Sequence, residues 1–573
     1  RRRRRDCGQH QGNLGTPVLI ITLSILGILL IALVAHVSGS RVEVDSSRLA
    51  RALDSRAAIA FVFGCTFCVL LFSWAAWNPK PLVHDEMAYV FQAQVFARGM
   101  WALPAPQFPA FWEQPHFLIE PTVTIKYFPG HPLVLALGAF VGWMALMPLV
   151  LQSTIAVLAF ALARRLSSGA VALLAWVIWL FTPMVMFFGP TFFSEATTTL
   201  CWLAGWYALV EWRSTRKIHW LLAVAFLTGW DAITRPLTGL AYAIPVGIVV
   251  LRDVIVHCRW RDLAFAMLVG VAVIGILPLW SVHTTGDWRV TPLALYTRLY
   301  MPYDVPGFGL NSTAPMHAMT RQMLEWNDIY SSIHVTHLLR NLPSIFRERV
   351  IYLFVSTWGV SSGLLAVFAA LGVLTARRDV AFAAGSCFLL IIVYLAYATP
   401  AQWTLYYYET TPTFTYLSAA GLAWAASMIG RPSDTPASAS FSWRSARWAP
   451  ALVAGAVVFA LPGSMALRIV RARHVSDGIA LNRFDRLLST IHDPKAVVFV
   501  RYSPTHSTHV TFVRNVAYPT AERIWVVHDR GEAENARFRA TVPERRAYLF
   551  DETRGRTYVY EPNVVGAPAP RSD

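Results

Sequence analysis

Between Met144 and Arg165 the chain reads MALMPLVLQSTIAVLAFALARR, an uncharged run closed by two arginines. A helix needs roughly 20 apolar residues to cross the hydrocarbon of a bilayer. Lys and Arg collect in the loops that stay on the cytoplasmic side. Residues 144–164 therefore read as a membrane span whose C-terminal end lies inside. The same unit recurs along the chain, with apolar runs at 17–37, 58–77, 170–188, 195–212, 219–234, 237–252, 262–283, 349–374, 380–398, 411–430 and 449–467. The shorter run 131–142, Pro-rich at its start, reads as a juxtamembrane or re-entrant piece. Arg164-Arg165, Arg213 through Lys217, Arg259 and Arg261, Arg377-Arg378, and Arg431 with Arg444 and Arg447 follow alternate spans. Loops 78–143, 189–195, 284–348 and 399–411 then face the opposite side, and they hold the acidic, aromatic and proline clusters.

Composition agrees. The 573 residues are 55% hydrophobic and 14% charged, with a mean hydropathy of +0.45. An average soluble domain carries about 25% charged residues. A disordered chain is excluded and an ordinary cytosolic enzyme disfavoured. The balance of 49 basic against 33 acidic residues gives +16. Its placement in alternate loops accounts for the excess without nucleic acid. The six cysteines lie mostly in apolar runs, with none in the last hundred residues, so no disulfide framework staples the tail. Cys65 and Cys68 have CxxC spacing inside a hydrophobic helix with no partner pair, which suits core thiols better than a metal or redox site.

Three regions follow. Residues 1–57 are an N-terminal extra span and basic loop. Arg41, Arg48, Arg51 and Arg56 make that loop cytoplasmic, which puts Arg1 to Arg5 outside. An extra helix of unusual orientation, a non-native start or a cleaved signal peptide would each explain it, and no small-residue cleavage site is evident. Residues 58–470 form the transmembrane body, with large outer loops 78–143 and 284–348, and 432–448 as a Ser/Pro/Ala-rich inner loop. Residues 471–573 are polar. Strands are expected at Ala496–Val500, His509–Val516, Arg523–Val527 and Arg546–Phe550, and helices at Ser476–Ile491 and Gly531–Ala540. The expected fold is mainly α, a polytopic bundle of about 11–13 spans, with a small extracytoplasmic α/β domain at its C-terminus.

No GxxxxGK[ST], HExxH or Asp-x-Asp motif is present. A membrane enzyme without nucleotide machinery needs another activated donor, and a lipid phosphate is the natural one. The densest polar stretch is Asn78-Pro79-Lys80-Pro81-Leu82-Val83-His84-Asp85-Glu86-Met87-Ala88-Tyr89. Asp85 and Glu86 fall at the start of a helical pattern, where carboxylates commonly cap free amides. Lys126, one of only four lysines, lies on the face where positive charge is depleted. It can hold a phosphate as a point charge or snorkel at the interface. Ser194-Glu195 opens a span and has the same capping alternative. Thr234-Arg235-Pro236 sits at an outer turn, and an arginine there needs a partner or a wet cavity. Asp231 is the partner expected from the preceding turn. Tyr406-Tyr407-Tyr408-Glu409 precedes the span at 411–430, where tyrosines suit the interfacial belt in any case. These groups share one side of the membrane and can converge in one cavity.

The order of these motifs resembles a known group. His84-Asp85-Glu86 with Tyr89 follows the first core span, and Pro129-Gly130-His131-Pro132-Leu133 leads the stretch ending in Ala163-Arg164-Arg165-Leu166. Ser194-Glu195, Thr234-Arg235-Pro236 and Tyr407-Tyr408 come next. Over roughly residues 58–430 this resembles the GT-C superfamily of integral-membrane glycosyltransferases, in particular the branch with protein O-mannosyltransferases and the aminoarabinose transferases of lipid A. The resemblance implies a polyprenyl-phosphate-linked sugar donor, a lipid, glycan or protein acceptor, and an active site on the outer face of a bacterial cytoplasmic membrane. It implies Asp85 as general base or acceptor-positioning group, with Glu86 beside it, and Glu195 as the second carboxylate, although many relatives have aspartate there. Lys126 and Arg235 would hold the donor phosphate, though Tyr127 and Phe128 separate Lys126 from the proline where the aminoarabinose branch has none between. Tyr89, His131, Tyr407 and Tyr408 would line the substrate site.

The chemistry suits these residue types. A hydroxyl attacks the anomeric carbon, a carboxylate takes its proton, and cations stabilise the departing phosphate, so a single displacement inverts the centre. A divalent metal is an open alternative, with His84, Asp85, Glu86, Glu113, His116, Glu120 and His131 as ligand types in one loop. The competing class is a transporter or lipid flippase without glycosyl transfer. Such proteins place ionisable residues inside spans, often at broken helices, where this chain has chiefly Asp231.

Overall fold

The computed structural model describes residues 46–77, 80–311, 313–359, 363–375, 378–429 and 478–560. The expected spans at 17–37 and 449–467 and the loop 432–448 lie outside the described residues. The body is a bundle of helices. Its members include α1 (Arg56–Trp77), α2 (His84–Ala97), α3 (Gly130–Phe140), α4 (Met147–Leu166), α5 (Gly169–Leu180), α6 (Glu195–Thr215), α7 (Ile218–Ala232), α8 (Pro236–His257), α9 (Trp260–Ile274), α10 (Pro292–Tyr300), α11 (Arg321–Thr336), α12 (Leu342–Trp358), α13 (Gly363–Thr375), α14 (Arg378–Tyr394) and α15 (Thr411–Ile429). Among the described residues, three helical stretches, Met144–Leu166, Pro236–His257 and Trp260–Thr285, are long and apolar enough to cross a membrane. Shorter apolar helices lie between them, and a common core runs from Leu53 to Leu422. Several expected spans are broken. Residues 170–188 divide at Pro183, which opens a separate short helix Pro183–Phe188. Residues 349–374 fall into α12 and α13.

The arginine-rich connections meet at one end of the bundle. Arg165 pairs with Glu211 at 3.2 Å, and Arg213 and Arg216 share Asp253 at 3.1 and 3.0 Å. Arg259 donates to the Arg216 carbonyl at 2.6 Å, and Arg164 to that of Leu53 at 2.9 Å. Joining these loops at one end is what alternate spans of opposite direction require.

The other end carries two small sheets. In loop 78–143, β1 (Leu103–Pro104), β2 (Phe117–Leu118) and β3 (Thr122–Ile125) pair antiparallel in the order β1-β3-β2. Near the C-terminus, β4 (Ala496–Arg501), β5 (Ile524–His528), β6 (Arg546–Asp551) and β7 (Arg556–Val559) form a sheet in the order β5-β4-β6-β7. The first three strands are parallel and β7 is antiparallel. Helix α16 (Glu532–Thr541) and a helix over 478–489 accompany it. Val497, Val498 and Phe499 are buried on both faces, which explains their unbroken apolar run. Residues 509–516, expected as a strand, are an irregular segment instead. Their polar groups are taken by other elements. The Val510 carbonyl accepts from Gln322, Asn515 bonds Gln114 and the Trp112 carbonyl, and the Tyr502 hydroxyl accepts the Phe512 and Val513 amides. Those contacts dock the C-terminal sheet onto loops 78–143 and 284–348. Phe111 packs on Phe499 and Phe538, and Lys80 pairs with Asp485 at 2.6 Å.

Candidate active site

Helix α2 starts at His84, so Asp85 and Glu86 occupy its first turn. Their side chains part. Glu86 is buried and accepts from the amides of Leu82 (3.1 Å), Val83 (3.3 Å) and Phe192 (3.1 Å). Both its oxygens are used in tying the helix start to the next outer loop. This is the capping arrangement that helix-terminal carboxylates commonly make. Asp85 is about one-third exposed. One oxygen accepts from the Tyr127 hydroxyl at 2.5 Å, and the other lies 3.6 Å from His116 Nε2.

From Asp85 a chain of contacts leads across the mouth of the bundle. The Tyr127 ring lies 4.8 Å from that of Tyr89. The Tyr89 hydroxyl donates to Ser194 Oγ at 3.2 Å, and Ser194 donates to Glu195 at 3.3 Å. Arg235 completes the line, donating to Glu195, to Ser194 at 3.3 Å and to the Tyr394 hydroxyl at 3.0 Å. Its guanidinium also lies 5.1 Å from the centre of the Tyr406 ring. The approach depends on Gly130, whose amide donates to the Ile233 carbonyl at 3.0 Å. A Cβ there would collide with Thr234 Oγ1 and stand 3.0 Å from that carbonyl. Glycine thus lets the end of loop 78–143 press against the turn that carries Arg235.

Lys126 is buried on the other flank of Asp85. Its ammonium lies 5.0, 5.4 and 5.9 Å from the ring centres of Tyr296, Tyr127 and Tyr330. The ammonium makes no hydrogen bond or ion pair among the described residues. Burial lowers its pKa, against the opposing pull of Asp304 and Asp85.

The remaining sequence candidates divide. Tyr89 lies in the network. His131 does not offer a free nitrogen: Nδ1 meets Thr197 Oγ1 and Nε2 the Phe192 carbonyl, both at 2.8 Å. It braces α3 against α6. Tyr407 and Tyr408 are likewise buried in helix packing, the first accepting from Arg349 at 3.4 Å and the second donating to Gln152 at 2.9 Å. Residues 404–410 form a 3₁₀ turn kinked at Tyr407, where the backbone leaves helical geometry at φ −119°, ψ 17°. That turn aims Tyr406, not its neighbours, at Arg235. The expected Asp231–Arg235 pair does not form either: Asp231 accepts from Trp202 Nε1 at 2.8 Å, while Arg235 reaches Glu195. Sequence reasoning passed over Tyr127, Tyr394 and Tyr406 as partners of the charged groups, and His116 as more than a ligand type.

The seven metal-ligand types of the first outer loop do not gather. Among the described residues no group of three or more His, Cys, Asp or Glu is placed to hold a metal ion. Glu113 is bound to His317 at 2.7 Å and to the Thr320 amide at 2.8 Å, and Glu86 and His131 are engaged as above. Lys126 faces the space beside Asp85 and His116, where a second cation would be repelled. These residues do not fit a metal centre.

No protein-family model matches the chain, and no curated protein matches it by sequence. Solved structures do. The crystal structure of ArnT from Cupriavidus metallidurans bound to undecaprenyl phosphate superposes with a TM-score of 0.50 at 14% identity, over 87% of this chain and 94% of that one. The apo form of the same protein gives 0.51 at 13% identity with the same coverage. The chain therefore shares the fold of ArnT from Cupriavidus metallidurans.

Proposed function

We propose that the protein moves a sugar from a polyprenyl-phosphate donor to a hydroxyl acceptor at the outer face of a bacterial cytoplasmic membrane, with inversion. Residues 58–470 form the catalytic membrane body in this reading. Residues 1–57 add a span and basic loop, and 471–573 form a soluble extracytoplasmic α/β domain. The observation that carries it is the line from Asp85 through Tyr127, Tyr89 and Ser194 to Glu195 and Arg235, with Lys126 on the other flank. Carboxylates and cations from separate loops meet there on the side opposite the arginine-rich connections. ArnT, whose fold this chain shares, was crystallised with undecaprenyl phosphate.

Asp85, the accessible acid, takes the acceptor proton as its oxygen bonds the anomeric carbon. The bond from that carbon to the phosphate oxygen breaks, and its electron pair leaves with the phosphate. Lys126 stabilises that charge more in the transition state than in the bound donor. Arg235 shares the load, with Glu195 holding it in place.

The test uses purified protein in lipid nanodiscs with a panel of undecaprenyl-phosphate-linked hexoses and pentoses, and an envelope lipid extract or water as acceptor. Release of undecaprenyl phosphate is read by mass spectrometry. Asp85→Asn should lower it by about 10²- to 10⁴-fold, the usual contribution of a positioned base, with folding intact. Full turnover in that variant would remove Asp85 from the chemistry. Movement of the labelled lipid between leaflets without cleavage would favour the flippase.

A further inference from the structure

His116 sits just before β2, and three independent features single it out. Its backbone lies in the left-handed region at φ 72°, where residues with a Cβ are uncommon. Its side chain is completely buried, yet neither ring nitrogen has a hydrogen-bond partner among the described residues. Its Nε2 stands 3.6 Å from Asp85 Oδ2. The main chain holds it there: the His116 amide donates to the Tyr296 hydroxyl at 3.2 Å, and the Lys126 amide donates to the His116 carbonyl at 2.9 Å. A strained backbone and an unsatisfied buried ring persist only where the surroundings impose them, and such positions cluster at functional sites.

We infer that His116 is a positioning residue for Asp85, donating from Nε2–H to Oδ2 while Tyr127 donates to Oδ1, so that the carboxylate is clamped with one lone pair aimed at the acceptor hydroxyl. The gap of 3.6 Å exceeds a hydrogen bond, and catalytic contacts of this kind tighten when substrate closes the site. The charged and titratable groups facing the ring are Asp85 and His84 from α2, Lys126 and Tyr127 beyond β3, and Tyr296 from α10; α11 contributes only the Trp326 ring. Burial, Lys126 and His84 together push the imidazole well below its ordinary value, so it is neutral at pH 7. A neutral donor orients the carboxylate without quenching it, whereas an imidazolium would make Asp85 a weaker base.

The inference rests on Asp85 being the base, and the test separates the two. In the nanodisc assay, His116→Leu should lower kcat at least tenfold with donor KM and undecaprenyl phosphate affinity unchanged, and His116→Gln, which keeps an N–H donor, should recover most of it. Wild-type kcat in His116→Leu overturns the inference. So does a loss in both variants accompanied by loss of undecaprenyl phosphate affinity, which marks a packing role. A second readout needs no turnover. Solid-state NMR of ¹⁵N-histidine protein should show His116 as the neutral Nε2–H tautomer at pH 7, with its Nε2 resonance shifted by Asp85→Asn. An imidazolium, an Nδ1–H tautomer or a resonance blind to that substitution overturns the inference even if the panel contains no substrate.

Discussion

The two cations of the candidate site, Arg235 and Lys126, have opposite surroundings. Arg235 is fully partnered: Glu195, Ser194 and Tyr394 take its donors, and Tyr394 and Tyr406 cover its faces. Lys126 has three tyrosine rings around it and, among the described residues, no carboxylate at ion-pair distance. The first arrangement has its charge neutralised in advance. The second keeps a charge that burial has made expensive and that an incoming anion would satisfy. Equal sign therefore does not mean equal role. Arg235 is held by Glu195, whereas among the described residues no carboxylate pairs with Lys126.

The largest consequence concerns the partnered side. Arg235→Met leaves Glu195 buried without its counter-charge, and breaking such a pair costs about 3–5 kcal/mol. Thermal unfolding in detergent should show that loss, and Glu195→Gln in the same chain should restore most of it. Unchanged stability in the single variant would break the contrast between the two flanks.

On the unpartnered side the expected effect is smaller and falls on binding. Lys126→Met removes a charge-assisted contact worth about 1.5–3 kcal/mol. Undecaprenyl phosphate affinity should fall on the order of 10- to 100-fold, with unfolding unchanged or improved because a desolvated ammonium is gone. Unaltered affinity would return Lys126 to the role of an interface lysine.

The difference between the flanks also marks what the sequence could tell. The direction of the spans was legible because apolar length and arginine placement are local signals. That Asp85, Lys126, Glu195 and Arg235 belong to loops of one face followed from the same alternation. The pairing among them did not. Asp231 precedes Arg235 by four residues and looked like its partner, but the Arg235 backbone is extended at φ −144°, ψ 93°, and its side chain crosses to α6. Asp85 and Glu86 are adjacent and chemically alike. Only the positions of the Leu82, Val83 and Phe192 amides decide that one is a cap and the other accessible. The segment 509–516 alternates like a strand, yet its hydrogen bonds go to the side chain of Tyr502 and to Gln322 and Gln114, the last two long-range partners that no local pattern encodes. Tyr127, Tyr394 and Tyr406 were hidden for a similar reason, because tyrosines at a membrane interface carry no positional signal of their own.

The smallest effect is a pH dependence that only one flank should show. Burial holds the Lys126 ammonium below its ordinary value, so the empty site loses its charge at a lower pH than a surface lysine would. Affinity for a dianionic phosphate should therefore begin to weaken at a lower pH than a surface lysine's titration would give, and binding of the anion should push the ammonium's pKa back up. Arginine stays charged throughout that range, so in Lys126→Arg the affinity, whatever its absolute level, should vary less with pH. Unfolding does not supply a competing explanation through this group. A lysine depressed in the folded state binds fewer protons there than in the unfolded chain, so its contribution to stability grows as pH rises. Titrating undecaprenyl phosphate across roughly pH 7–10 in both proteins separates the cases. Parallel curves would mean that Lys126 does not meet the phosphate and that Arg235, with its charge already paired, must carry the anion alone.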